Sequence, residues 1–125
     1  MKASDFFTRE KANEGVKVSI PSPDGSDSEH WLMVHSSDCD AFQNGRHSVI
    51  RSGIEVAKMP PEKREDELRM RQCRLAALLI SDWSLEDEFS KEAVAELMYN
   101  APYIQGIVES AADNRRLFFG KESGS

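Results

Sequence analysis

Cysteine is scarce in this 125-residue chain. Cys39 and Cys73 form no CxxC pair and have no neighbouring pair of histidines, so they read as reduced, packed thiols, not as a disulfide or zinc motif. Long hydrophobic runs are missing too: the longest, Leu75–Ile80, is far short of the roughly 20 residues that span a bilayer. Met1-Lys2-Ala3-Ser4-Asp5 leads into charged sequence without the apolar segment of a secretory signal, which predicts a cytoplasmic protein without membrane contact. Clustered basic residues are lacking as well. With 16 Lys and Arg against 22 Asp and Glu, the net charge of -6 argues against binding nucleic acid. No glycine-rich phosphate loop, nucleophile elbow or EF-hand spacing occurs, so no catalytic residue, cofactor or metal is expected.

What is present is the composition of a folded domain. Hydrophobic residues make up 39% and charged residues 30%, and at this length they predict one core. Ser4 can cap a helix through Phe6, Phe7 and Arg9 to about Asn13, with Gly15 to end it. Val16, Val18 and Ile20 alternate with Lys17 and Ser19 as a strand, and a second strand is expected over His30 to His35. The intervening Pro21–Ser28 segment is turn-rich, which predicts a hairpin over about 16–35 with a long, mobile tip.

From about residue 38 the pattern is helical. Ser37 or Asp38 can cap a helix with Phe42, Val49, Ile50, Ile54 and Ala57 on its apolar stripe and a weak point at Asn44-Gly45. Pro60-Pro61 ends it and can start the next, expected from Glu62 to about Trp83 with Leu68, Leu75, Leu78, Leu79 and Trp83 buried. Its charged start, Glu62 to Glu67, reads as a solvated face. Ser90 caps a helix to about Tyr99, and Pro102 restarts the chain into Ile104, Ile107, Val108 and Ala111. The fold class is therefore α+β, mainly α: an N-terminal β-hairpin followed by a bundle of about four helices. It forms a single domain over 1–119, with a flexible tail at 120–125.

Polar residues that could carry chemistry have simpler readings. His30 and His35 bracket one strand and point to opposite faces, so each is expected to be hydrogen-bonded or exposed. Asp38 and Asp40 suit a helix start, where the dipole favours carboxylates. A rival reading gathers His35, Asp38, Cys39 and Asp40 around one loop as an enzyme or metal-dependent regulator. A second rival is a generic helical interaction adaptor.

Several segments, taken in order, resemble one known family. Asp38-Cys39-Asp40-Ala41-Phe42 is similar to an Asp-Ser-Asp-x-Phe segment, with Cys39 in place of the usual Ser. Leu78-Leu79-Ile80-Ser81-Asp82-Trp83-Ser84-Leu85 is similar to an apolar run ending in Trp. Phe89-Ser90-Lys91-Glu92, Leu97, Asn100-Ala101-Pro102-Tyr103-Ile104 and Ile107 resemble a closing helix pair, and Leu117-Phe118-Phe119 an apolar end. The family is the tail assembly chaperones of lambda-like, long-tailed phages; the likeness covers about two thirds of the chain, and another phage morphogenesis factor is the rival reading beside it.

That resemblance implies a protein that binds the tape measure protein, keeps it soluble, helps recruit tail tube subunits and forms homo-oligomers. It would act in the bacterial host cytoplasm and be left out of the mature virion. Apolar helical anchors suit such reversible contacts. The candidates are Phe6, Phe7, Leu97, Met98, Tyr103, Ile104, Ile107, Leu117, Phe118 and Phe119. Core packing is the competing role for each.

Overall fold

The computed structural model describes residues 1–120, so the tail expected at 120–125 lies outside the described residues apart from Gly120. The chain is mainly helical, with a three-stranded antiparallel sheet. A 3-10 turn at Ala3–Phe6 is followed by α1 (Arg9–Ala12), β1 (Val16–Ser19), β2 (Trp31–Val34), α2 (Asp40–Ala57), α3 (Pro61–Ala77) and β3 (Ile80–Trp83). The remaining helices are α4 (Lys91–Asn100), α5 (Pro102–Ala112) and α6 (Arg115–Phe119).

The expected hairpin forms, with Val16 opposite Val34 and Val18 opposite Leu32. At its tip Gly25 takes a φ of 88°, and the Ser26 N–H and hydroxyl both donate to Asp24 Oδ1. Leu32 and Val34 turn to the helices and are fully buried. Trp31 and Met33 occupy the opposite, half-exposed face, where the Lys17 ammonium lies 4.4 Å from the Trp31 ring centre.

The largest correction concerns residues 80–83. Expected as the end of a long helix, they form β3, antiparallel to β2, with an irregularity at Met33/Val34. A hairpin alone would leave the outer groups of β2 unpaired beside the core, and buried backbone polar groups must find partners. Ile80 and Trp83 point inward while Ser81 and Asp82 stay exposed. Of the expected buried face, Leu79 and Trp83 are buried and Leu75 and Leu78 half-buried, but Leu68 is 45% exposed, and within α3 itself Cys73, Ala76 and Ala77 are the buried residues. These small side chains let α4 pack closely.

Other boundaries shift less. The expected first helix is broken between Phe6 and Arg9. Helix α2 starts with Cys39 as its N-cap, without a side-chain cap bond, and runs unbroken through Asn44-Gly45. A Cβ at Gly45 would stand 2.1 Å from Leu78 Cδ1, so the glycine serves close helix packing. Val56 is buried and Ala57 exposed, reversing the expectation at that turn; Phe42, Val49 and Val56 share a face at seven-residue spacing. The side chains of Ile50 and Ile54 lie outside the described residues.

The charged start of α3 faces solvent as expected at Glu62, Lys63, Glu65 and Asp66, with Arg64 drawn back toward the chain. Arg64 donates to the carbonyls of Ala57 and Met59 at the end of α2, and Arg69 donates to the Tyr99 carbonyl. The Ser90 cap is as expected, its hydroxyl accepting from the Ala93 N–H at 2.9 Å. Trp83 is anchored by an indole N–H bond to the Asp87 carbonyl and an edge contact with Phe89.

Candidate functional site

The ten candidate contact residues separate by depth. Met98, Ile104 and Phe118 belong to the core, at 0%, 4% and 8% exposure, so in this fold they cannot touch a partner directly. Each lies on the inward stripe of its helix, a position that helical periodicity alone cannot tell from an outward apolar one. Leu97, Ile107 and Phe119 are half-buried. Tyr103 and Leu117 are partly exposed, whereas Phe6 and Phe7 are 67% and 78% exposed.

The exposed candidates fall into two places. Tyr103, Ile107 and Leu117 line an open groove of about 660 Å³ between β1 and the α5–α6 pair, together with Lys17, Val18 and Gly106. Tyr103 closes one end by donating its hydroxyl hydrogen to the Pro21 carbonyl at 2.9 Å. Sequence reasoning missed Lys17, Val18 and Gly106. The available signal was Gly106 itself, a helix-interior glycine that weakens the helix unless packing needs it.

Phe6 and Phe7 form the second place, around a concavity that also involves Thr8, Arg9 and Asn13. The 3-10 turn buries none of its own residues. Behind it, Asp40 accepts from Arg9 Nε at 2.7 Å and from Asn13 Nδ2 at 3.1 Å, so α1 is tied to the start of α2. The Arg9 hydrogen bond holds the Asp40 pKa below its ordinary value, and Asp40 raises that of Arg9. Asp40 stands in the first turn of α2, as expected of a helix-start carboxylate, and makes these tertiary contacts as well, while Asp38, just before the helix, meets Arg115 at 3.4 Å.

Of the polar residues in the rival reading, Asp38 and Asp40 are engaged by arginines, and the histidines meet serine hydroxyls. His35 Nε2 lies 2.8 Å from Ser81 Oγ, and His30 Nδ1 lies 3.2 Å from Ser84 Oγ. Burial lowers the pKa of His35 and raises that of the Cys39 thiol. The Lys91 ammonium donates to the Ile80 carbonyl, and burial lowers its pKa. Among the described residues, no group of three or more His, Cys, Asp and Glu side chains is placed to hold a metal ion. No described helix is long and apolar enough to cross a membrane.

Comparison with models of protein families, with curated proteins and with solved structures finds no match to this chain.

Proposed function

We propose that this chain is a tail assembly chaperone of a long-tailed phage, binding the tape measure protein in the host cytoplasm before the tail tube closes around it. The resemblance of the segments from Asp38 to Phe119 supports the family. The observation that carries a binding role is the Phe6-Phe7 pair, two large aromatic side chains left in water at 67% and 78% exposure on a segment that buries nothing. Large exposed apolar surface marks contact sites, and covering each ring would contribute about 1.5–3 kcal/mol.

That magnitude suits the task. Contacts of this size are weak singly and strong when repeated along a rod, so they hold a long client yet give way as tube subunits polymerise. The partly exposed Tyr103 and Leu117 provide a second apolar surface on the same chain.

Co-expression with the tape measure protein that this reading expects to be encoded nearby tests it. The natural chain is expected to keep the tape measure in the soluble fraction, and Phe6→Ser/Phe7→Ser to lose that effect while circular dichroism stays unchanged. A tape measure no more soluble with the chain than without it overturns the proposal.

A further inference from the structure

The two edges of the sheet are finished differently. At the β3 edge, the Trp83 N–H donates to the Asp82 carboxylate at 2.9 Å and the Lys91 ammonium donates to the Ile80 carbonyl. Both contacts occupy backbone groups that an added strand would need. At the other edge, the Ile20 N–H donates to the His30 carbonyl at 3.1 Å. Bonded and non-bonded pairs alternate along an antiparallel ladder, so Val16 and Val18 also turn their backbone groups toward β2. Lys17 and Ser19 then turn theirs away, along an edge with no described strand beyond it. Lys17 and Val18 point to opposite faces yet both line the groove, so the groove runs along this edge.

We propose that β1 pairs with β1 of a second copy, antiparallel, about a two-fold axis through Val18. Register decides between the alternatives. A two-fold centred on Ser19 would set Lys17 opposite Pro21, which has no N–H to donate. Centring on Lys17 would set two ammonium-bearing residues directly opposite each other, an unfavourable pair. Centring on Val18 sets each Lys17 opposite Ser19 of the other copy, and every outward N–H and C=O of Lys17 and Ser19 meets a partner. Lys17 does not block the approach, since its ammonium lies over Trp31 on the outer face of the sheet.

The helical layer fits the same arrangement. The helices of both copies lie on one face of the joined sheet, so α5 of each copy meets the other across the groove. Gly106, where an added Cβ would meet nothing within 4 Å, leaves this face of α5 low enough for a close approach. A second copy suits this edge better than a client strand: its outward groups are symmetric about Val18, as an isologous contact requires, and Pro21 stops the longer ladder that an extended client would use. The pairing is independent of which client the protein binds.

Val18→Cys tests the register in the full-length chain. Non-bonded antiparallel pairs hold their Cα atoms about 4.5 Å apart, within disulfide reach, so V18C treated with oxidised glutathione is expected to give a covalent dimer with unchanged circular dichroism. Cys39 and Cys73 are buried and should not compete. A V18C chain that stays single, or a Lys17→Cys chain that cross-links more readily, overturns the proposal. Gly106→Leu projects into the groove without meeting its own chain and is expected to weaken self-association about tenfold by sedimentation. Undiminished association of G106L, or a natural chain that is monomeric at every concentration measured, equally overturns it.

Discussion

The chain contains two Phe-Phe pairs with opposite fates. Phe6 and Phe7 stand 67% and 78% exposed, whereas Phe118 is buried to 8% and Phe119 packs half-buried beside it, ring centres 6.1 Å apart. The dipeptide is the same, so hydrophobicity does not explain the difference; backbone support does. Asn114 caps α6 by accepting from the N–H groups of Arg116 and Leu117, and the capped turn aims Phe118 at the core. Phe6 ends a 3-10 turn, and Phe7 is already in extended geometry, so neither ring is presented to a neighbouring surface. One pair therefore stabilises the fold, and the other stands in water, where the proposed contact would cover it.

The strongest way to break this contrast is Phe118→Ala, which removes a buried ring and leaves a cavity. A loss of about 3 kcal/mol is expected, read from the urea midpoint at unchanged slope. A loss no larger than that of an exposed substitution would show that the C-terminal pair is not a core element. Asn114→Ala comes next: losing the cap should cost about 1 kcal/mol and expose the Phe118 environment to faster hydrogen exchange. Phe6→Ala/Phe7→Ala should change stability by less than about 0.5 kcal/mol, as surface substitutions do. A large loss would mean that these rings are buried in the isolated chain and would end their use as a docking surface.

The smallest effect sharpens the contrast by pH. Asp40 has a folded-state pKa depressed chiefly by its hydrogen bond from Arg9, so its contribution is present above the unfolded value and is lost as pH falls through the folded one. Acidification below about pH 4 should therefore loosen α1 and the phenylalanines before it, while α6 keeps its protection. Amide exchange resolved by residue checks this. Simultaneous loss of protection at both ends would contradict it.

Much of the fold is legible in the residues themselves. Alternation from Val16 to Ile20 marks β1, Pro102 marks the start of α5, and Ser90 caps α4, because local spacing and local hydrogen bonds decide each of these. Residues 80–83 were not legible in that way. Leu78-Leu79-Ile80 carries no helix stop, and what draws it into β3 is the unpaired edge of β2, distant in sequence. The same limit applies to the candidate site: apolar character on helices made candidates of Met98, Ile104, Tyr103 and Ile107 alike, yet only the packing of α4 and α5 sent the first two inward.

The order of residues thus determined on its own the charge balance, the hairpin, the helix starts at Pro102 and Ser90, and the supply of apolar side chains. Tertiary structure alone decided which of those side chains meet water, because exposure depends on what lies opposite a surface. It also left the β1 edge without a described strand beside it and occupied the β3 edge, since Lys91 reaches the Ile80 carbonyl only once the start of α4 stands beside β3.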